Sequence, residues 1–410
     1  MIQIPSPDAG VPAGRCPSCG TPHDAGAAFC EACGAGLVAG VAATRTEPAT
    51  PVIAAATPQT ARAGDESPLD VGWTGAVPSG LDAVGGPGAG SDVCPVCGQG
   101  RMLDGYCDNC GAPAPDPRDH WTERPASWVG GVCDIGRRHS RNEDAMALAA
   151  TEPAGSRSVL VVCDGVSMAT DSHIASLAAA QAARTVLDQP LPRGAGTHDA
   201  WAAGAARALG SAVTAANAAV REAVTTDVPN PPSCTLAAAV VEGGIVVAGN
   251  VGDSRVYWLP DATSEPARQL GRDDSYANER ILAGVSRAEA ETGPGAHSIT
   301  RWLGRDAPPD LTPHVTTLAP GTAGWLLVCS DGLWNYCSDS EALRGLVHET
   351  AARVGGVPTV LAQALVDFAN ERGGRDNITV ALARLPGQGS TAQDDGAAAT
   401  APQEGDPAHG

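Results

Sequence analysis

Eight cysteines arranged as four C-x-x-C pairs constrain the first 110 residues more than any other feature of the sequence. The pairs form two matched sets, with ten residues between the pairs of the first set and nine between those of the second. A glycine follows every pair, where a tight turn lets backbone N–H groups face the sulfurs. Four thiolates at this spacing are typical of a closed tetrahedral Zn²⁺ site. The sequence therefore predicts two structural zinc ions, one held by Cys16, Cys19, Cys30 and Cys33 and the other by Cys94, Cys97, Cys107 and Cys110.

These sets predict zinc ribbons at residues 14–36 and 91–114. A redox role or a fortuitous spacing is the alternative that the cysteines leave open. Between the ribbons, residues 37–90 are rich in Ala, Gly, Pro and Thr without a sustained period, which predicts a flexible linker. Residues 387–410 have a similar composition with added acids and predict a disordered acidic tail.

Net charge and hydropathy limit the classes of partner and the cellular compartment that the sequence predicts. The formal net charge is −20, and every basic residue counted in it is an arginine. This balance argues against a general nucleic-acid binder, which would show a basic face. The start MIQIPSPDAG has no charged or apolar signal region, and no apolar run reaches the roughly 18 residues that span a bilayer. The sequence predicts a cytoplasmic protein with no membrane or nucleic-acid partner, whose thiols stay reduced.

Residues 126–386 carry the pattern of one globular domain. Three segments predict helices: 171–188, 198–226 and 357–372. In the first, Asp171 and Ser172 are candidate caps, and Ile174, Leu177 and Val186 lie on the expected inner face. Short apolar runs bounded by Gly, Asp or Ser predict buried strands; they are WVGGVCDI, SVLVVCD, CTLAAAVV, GIVVAGNV, GWLLVCS and ITVALARL. Because strands cluster with helices between the clusters, the pattern favours antiparallel sheets covered by helices over a doubly wound parallel sheet.

Acidic residues stand at the ends of these strands. A single Asp-Gly pair is usually a turn, but several acids on rigid strand ends can gather around one cation. Oxygen ligands without a matching histidine cluster indicate Mg²⁺ or Mn²⁺. The candidate ligands are Glu143 and Asp144 in HSRNEDAMAL, Asp164 with Gly165 in VLVVCDG, Asp253 in AGNVGDSR, Asp331 in LLVCSDG and Asp376 in GGRDN.

The order of these motifs resembles the metal-dependent protein serine/threonine phosphatases, the type 2C or PPM family. The resemblance covers about residues 128–385 and rests on NEDA, VVCDGV, GDSRVY, SITRWLG, LLVCSDGLW and GGRDNITVAL. It implies an α+β fold, a sandwich of two antiparallel β-sheets flanked by helices, with two metal ions in a cleft between the sheets. Residue by residue, it implies that Asp164 bridges both metals and that Gly165 offers its backbone carbonyl to one. Asp331 and Asp376 would complete one metal site.

The resemblance further implies that Glu143 serves the other metal, with Asp144 bound directly or one layer behind. Asp253 would face a third, weaker site shared with Asp331. The implied reaction is hydrolysis of phosphoserine and phosphothreonine by a hydroxide that bridges two Mn²⁺ or Mg²⁺ ions. Phosphoproteins made by Ser/Thr kinases would be the substrates, and the zinc ribbons would recruit or regulate.

The sequence departs from the family pattern at two positions. The family places a phosphate-clamping Arg where this chain has His139, flanked by Arg138 and Arg141. We therefore count His139 with Asp164, Asp331 and Asp376 as a predicted catalytic residue, while either arginine remains an alternative clamp. Some relatives use a histidine after the Asp-Gly pair for leaving-group protonation, and Val166 stands there instead.

Two other functions compete with the phosphatase. An inactive phosphatase-like scaffold that binds a phosphorylated partner would keep the fold without turnover. A cysteine phosphatase is disfavoured because no C-x₅-R loop surrounds any of the five cysteines of the domain. The presence of every expected metal acid favours the active enzyme.

Overall fold

The computed structural model describes residues 14–15, 22–23, 93–94, 97–112, 114–191, 198–224 and 228–387. The chain divides into two compact units, Met1–Gly75 and Ala76–Gly410. In the first unit the described residues form one antiparallel pair of strands, β1 (Gly14–Arg15) and β2 (Pro22–His23). The predicted linker, the predicted tail beyond residue 387 and the cysteines of the first ribbon lie outside the described residues.

Antiparallel strands make up much of the second unit. In chain order they are β3 (Met102–Leu103), β4 (Tyr106–Cys107), β5 (His120–Ala126), β6 (Val129–Asp134), β7 (Ala145–Thr151), β8 (Arg157–Cys163), β9 (Ser233–Cys234), β10 (Leu236–Glu242), β11 (Ile245–Val251), β12 (Arg255–Pro260), β13 (Arg268–Leu270), β14 (Leu303–Gly304), β15 (His314–Leu318), β16 (Gly324–Cys329) and β17 (Ile378–Leu385). One sheet has the order β15-β11-β10-β8-β7 and the other β13-β12-β16-β17-β6-β5, while β3–β4 and β9–β14 are short separate pairs.

Side-chain alternation explains why the two large sheets pack face to face. In β8, Leu160 and Val162 join a buried cluster with Trp258 and other residues of the six-stranded sheet. The intervening Val159 and Val161 lie on the opposite face, in a cluster with helical residues. Successive strand residues point to opposite sides, so strands that are apolar throughout need cover on both faces.

Helices supply that outer cover. They are α1 (Ser172–Leu187), α2 (His198–Ala223), α3 (Tyr276–Leu282), α4 (Arg287–Thr292), α5 (Asp331–Trp334), α6 (Ser340–Val354) and α7 (Pro358–Glu371). The pair α1 and α2 packs on the five-stranded sheet, and α6 and α7 pack on the six-stranded sheet. In the part of the chain that the structure describes, no helix combines the length and apolar composition needed to cross a bilayer.

The predicted fold class is confirmed, as are the six predicted strands and three predicted helices to within a few residues. The face assigned to the first helix is wrong in part. Ile174 is exposed, whereas Leu177 and Val186 are partly buried beside small residues such as Ala179. Alanines form the inner face because α1 and α2 approach each other closely.

The predicted caps of α1 also differ from the structure. Asp171 occupies the N-cap position in a left-handed conformation, with φ 54°, and its side chain makes no capping hydrogen bond. Ser172 is the first helical residue, and its hydroxyl donates to Glu143 instead. The start of α1 therefore serves a carboxylate outside the helix.

The globular domain begins before the predicted boundary at residue 126. Strand β5 pairs with β6 through His120–Asp134 and Trp121–Cys133, so it belongs to the six-stranded sheet. The preceding turn is tied in as well, since the Arg118 guanidinium donates to the carbonyl of Asp144 at 2.9 Å. The polar composition of HWTERPA hides this edge strand in the sequence.

Candidate active site

The six predicted acids gather at one end of both sheets. Strand β8 ends at Cys163 opposite the start of β7, which places Asp164 beside the Glu143–Asp144 pair. Strand β12 starts opposite the end of β16, which brings the Asp253 turn near Asp331. Antiparallel pairing thus collects acids from distant parts of the sequence, because strand ends and starts alternate along one edge.

The pKa values of these acids reflect burial and the repulsion between neighbouring carboxylates. Burial, followed by the charges of Asp144 and Asp331, raises the pKa of Asp164 well above its usual range. Burial and the charges of Asp376 and Asp253 do the same for Asp331. Desolvation raises the pKa values of Asp144 and Asp253 to about 7. Each of these carboxyl groups resists ionisation beside its neighbours, and a bound cation would stabilise their ionised forms.

Two buried carboxylate oxygens indicate that this cluster suits a cation. Asp144 Oδ1 and Asp331 Oδ1 have no hydrogen-bond partner in the described part of the chain. A buried oxygen without a donor is costly, and a hard divalent cation would satisfy it. Among the described residues, only the second ribbon's sulfurs bring three or more ligand atoms within 4.8 Å of one another. The carboxylates therefore converge without closing into a single compact shell.

Two glycines let the backbone approach the cluster closely. A Cβ on Gly165 would lie 2.6 Å from the carbonyl oxygen of Glu143. A Cβ on Gly332 would lie 1.9 Å from the carbonyl oxygen of Asn377. Both contacts exclude a side chain, which explains why Asp164 and Asp331 are each followed by glycine.

Asp144 is held from one side only. Its Oδ2 accepts hydrogen bonds from the hydroxyls of Ser330 and Thr379, each at 2.7 Å. The residue is 1% exposed, so these bonds fix the carboxylate in place. Only Oδ1 is left to face the cluster.

Asn377 ties together the loop that carries the predicted clamp and Glu143. Its side-chain amide donates to the carbonyls of Ile135 and Arg141, at 2.8 and 3.2 Å. Its side-chain oxygen accepts from the backbone N–H of Glu143 at 2.8 Å. With its own N–H donating to Asp376 Oδ1 at 2.8 Å, Asn377 links the loop to an acid of the cluster.

A buried cation–π contact supports the backbone of Asp253. The indole N–H of Trp334 donates to the carbonyl of Asp253 at 2.9 Å. The guanidinium of Arg255 lies 3.6 Å from the centroid of a Trp334 ring and pairs with Asp273 at 2.6 Å. This stack fixes the turn between β11 and β12 at the edge of the cluster.

The predicted phosphate clamp lies beside the cluster. His139 Nε2 is 3.2 Å from Asp376 Oδ1. Arg141 Nη1 is 3.8 Å from Asp171 Oδ1 and 3.3 Å from His173 Nδ1. Arg138 is exposed. The structure therefore brings His139 to an acid of the site, while Arg141 points toward the start of α1.

The second ribbon brings its four cysteine sulfurs together. Cys94 Sγ is 3.7 Å from Cys110 Sγ, and Cys97 Sγ is 3.6 Å from Cys107 Sγ. Hydrogen bonds, first from the Gly100 amide, lower the pKa of Cys97 to about 6. A low pKa favours the thiolate that zinc requires. The first ribbon's cysteines, Cys16, Cys19, Cys30 and Cys33, fall outside the described residues.

Four of the five cysteines of the catalytic region lack the character of nucleophiles. Cys133, Cys163, Cys234 and Cys329 are fully buried. Burial raises the pKa of Cys133 and Cys163 well above the ordinary thiol value. A protonated, inaccessible thiol cannot attack a phosphoryl group.

Several supporting residues had no predicted role in the site, although Ser172 was predicted as a helix cap. They share short polar side chains that bind a carboxylate or a backbone group of the cluster, and they are Ser172, Ser330, Asn377 and Thr379. For two of them the sequence contained a signal: Asn377 follows Asp376 and Ser330 precedes Asp331. Polar residues that flank an acid at a strand end are placed to hydrogen-bond it.

Two family models match this chain. A family model described as protein phosphatase 2C matches residues 135–369, which is more than half of the chain. A second model, described as a zinc-ribbon domain, matches residues 15–37.

Two individual relatives are named as phosphatases. The "Serine/threonine phosphatase stp" of Listeria welshimeri is 34% identical over 154 residues, which are 37% of this chain and 57% of that protein. The "Protein phosphatase PhpP" of Streptococcus pneumoniae is 34% identical over 149 residues, 36% of this chain and 55% of its own length. This chain thus matches little more than half the length of these two relatives. The crystal structure of the Mycobacterium tuberculosis serine/threonine phosphatase PstP/Ppp is 26% identical, with a TM-score of 0.50, and the match covers 63% of this chain and 98% of that one.

Proposed function

The chain belongs to the protein phosphatase 2C family, and from that premise we propose that it hydrolyses phosphoserine and phosphothreonine in proteins in a metal-dependent reaction. The observation that carries the proposal is the gathering of six acids at one end of both sheets, with raised pKa values for Asp164 and Asp331 and unpartnered buried oxygens on Asp144 and Asp331. Phosphoproteins made by Ser/Thr kinases would be the substrates.

The acids would divide between two Mn²⁺ or Mg²⁺ ions. Asp164 would contact both, and Asp331 and Asp376 would complete one site. Glu143, oriented by the Ser172 hydroxyl at 2.7 Å, would serve the other together with the Gly165 carbonyl. When bound, such ions activate water and offset the charge of the phosphoryl oxygens.

The remaining acids would have narrower roles. Asp144 would reach an ion only through Oδ1, because Oδ2 already accepts two hydrogen bonds. Asp253 would contribute to a third site at the edge of the cluster, near Asp331. These roles rest on the placement of each carboxylate and on the pattern of the family.

The chain's own groups would hold the substrate phosphate. His139 Nε2 faces Asp376, so a phosphate contact from His139 would fall to Nδ1. Arg138 is exposed beside it and could supply a charged fork in the same place. We propose His139 as the primary contact, because it is the group held against the cluster.

The activity can be tested with peptides and metal removal. The full chain should dephosphorylate phosphothreonine and phosphoserine peptides with Mn²⁺, and EDTA treatment should reduce the rate to background. Mn²⁺ or Mg²⁺ added after dialysis should restore it, since tetrahedral thiolate sites release zinc far less readily than carboxylate sites release Mn²⁺. Phosphate release that is unchanged by EDTA would contradict the proposal. No release under any condition would favour the inactive scaffold.

For the zinc ribbons we propose structural zinc, one ion in each, and a role in recruitment or regulation. The second ribbon ends before Pro115, and the catalytic region begins with the turn that holds Arg118. We expect residues 115–410 to hydrolyse p-nitrophenyl phosphate within about twofold of the full chain, because no acid of the site comes from the ribbons.

A shorter form provides the control for that boundary. Residues 119–410 lack Arg118 and its donations to the carbonyls of Asp144 and His173. We expect the shorter form to lose about 1–3 kcal/mol of unfolding free energy relative to residues 115–410, as charged hydrogen bonds are lost. Denaturant unfolding measures the difference. A folded but inactive 115–410 fragment would show that the ribbon is needed for catalysis.

A further inference from the structure

Positive charge collects at the mouth of the acid cluster, although the chain carries a net charge of −20. Four exposed arginines, Arg137, Arg138, Arg141 and Arg375, come from two loops that flank the site, residues 136–142 and 373–377. We call these four side chains the basic rim. Their positive charge is unexpected, because a chain with an acidic composition is expected to expose more acidic than basic side chains.

The two loops form one surface. The backbone N–H of Arg137 donates to the carbonyl of Gly374 at 2.8 Å. A Cβ on Gly374 would lie 2.9 Å from Arg137 Cγ, so the loops are in contact. His139 and Asp376 join them a second time, at 3.2 Å. These contacts place the two loops that carry the rim arginines beside the predicted phosphate contact.

Three of the four rim guanidiniums are available for a ligand. Within the described part of the chain, the side chains of Arg137, Arg138 and Arg375 have no ion pair or hydrogen bond. Arg141 is 57% exposed, and its nearest acid, Asp171, is 3.8 Å away. By contrast Arg255 is buried against Asp273, as expected for an arginine with a structural role. Unpaired guanidiniums offer planar forks that match carboxylates and phosphates.

We infer that the basic rim selects phosphoprotein segments in which acidic residues flank the phosphoserine or phosphothreonine. This inference rests on the proposed function, since it assigns a substrate class to the same site. A phosphate held at His139 places the neighbouring peptide residues over the two loops that carry the rim. Acidic side chains there meet exposed cations, while basic ones meet repulsion, so charge complementarity sets the choice of substrate.

The test compares binding of two peptides that differ only in flanking charge. Both carry a non-hydrolysable phosphonate analogue of phosphothreonine, one flanked by glutamates and one by glutamines. In fluorescence anisotropy at low ionic strength, the wild-type chain should bind the glutamate peptide about tenfold more tightly. The double variant Arg137→Gln/Arg375→Gln should reduce that preference to about twofold or less.

A matched control removes the same charge elsewhere. Arg207 on α2 and Arg353 on α6 are exposed, and Arg207→Gln/Arg353→Gln should keep the tenfold preference. An equal affinity of the wild-type chain for both peptides, or an undiminished preference in the rim variant, would overturn the inference. Displacement of the glutamate peptide by single-stranded RNA at equal concentration would also overturn it, because the rim would then bind polyanions without regard to class.

Hydrolysis of p-nitrophenyl phosphate with Mn²⁺ separates this inference from the proposed function. This small substrate has no flanking residues to contact Arg137 and Arg375, so the rim variant should turn it over at the wild-type rate. Turnover without a peptide preference would count against the rim alone. A preference for the glutamate peptide without turnover would support the rim and count against the phosphatase.

Discussion

Asp331→Asn is expected to reduce Mn²⁺-dependent hydrolysis of p-nitrophenyl phosphate by about 10³-fold or more while the protein stays folded. Asp331 starts α5 at the end of β16, and one of its buried oxygens has no partner among the described residues. The amide keeps the shape of the side chain and can still accept from Asn335. It removes the charge that a divalent cation needs, so the loss should come from metal binding and not from unfolding.

The same variant should be at least as stable as the wild type once metal is removed. Burial and neighbouring acids raise the pKa of Asp331 in the folded state well above its usual range. An acid whose folded pKa is raised destabilises the fold increasingly as pH rises above its unfolded pKa, and that penalty vanishes at low pH. The melting temperature of Asp331→Asn in EDTA should therefore equal or exceed that of the wild type at neutral pH.

An exposed acid outside the cluster supplies the control. Asp188 follows α1 and is exposed, so Asp188→Asn removes one charge without touching the site. It should leave turnover and melting temperature nearly unchanged. Near-wild-type turnover by Asp331→Asn at saturating Mn²⁺ would mean that Asp331 is not a metal ligand.

Asn377→Ala is expected to lower kcat/KM by about 10²-fold and to cost about 2–4 kcal/mol of unfolding free energy. Asn377 is 2% exposed, and its side chain makes three hydrogen bonds to the backbone of the loop from Ile135 to Glu143. Alanine would leave those buried backbone groups without partners and release the loop that carries His139 and Glu143. Steady-state kinetics and denaturant unfolding measure the two effects.

Asn377→Asp separates the contributions of the two ends of the amide. The carboxylate can still accept from the N–H of Glu143 but cannot donate to the carbonyls of Ile135 and Arg141. It also adds a charge beside Asp376. We expect activity no better than that of Asn377→Ala, because both donations are lost. An Asn377→Ala variant with wild-type kcat/KM would show that the loop holds its shape without this side chain.

The sequence predicts the central strands well because they are apolar on both faces. Of the two large sheets it misses β5, β7, β12, β13 and β15, and β5 and β7 show two different reasons. Strand β5 lies at the edge of its sheet, and its exposed residues follow no clear alternation. Strand β7 reads AMALAAT, a composition that favours helix, and only its pairing with β8 makes it a strand. The prediction that Ile174 is buried failed for a similar reason. The close approach of α1 and α2 determines which face of α1 is buried, and a local pattern does not show it.

The acids of the candidate site could be located from sequence because each adjoins a strand end. Their supports could not, because those contacts join residues far apart in the chain. The N–H of Glu143 and the side chain of Asn377 are 234 positions apart, and Asp144 and Thr379 are 235 apart. A local pattern identifies a carboxylate on a rigid element, but only the assembled sheets show which hydroxyl or amide orients it.

The position of β17 has a consequence for how the protein acquires its activity. This last strand lies between β16 and β6 in the middle of the six-stranded sheet, and Asp376 and Asn377 immediately precede it. During synthesis, β6 leaves the ribosome more than 240 residues before its partner does. Contacts of such long range close late and slow folding. The nascent chain therefore cannot complete the acid cluster until almost all of the domain has been made. A nascent or prematurely terminated polypeptide would lack the proposed phosphatase activity.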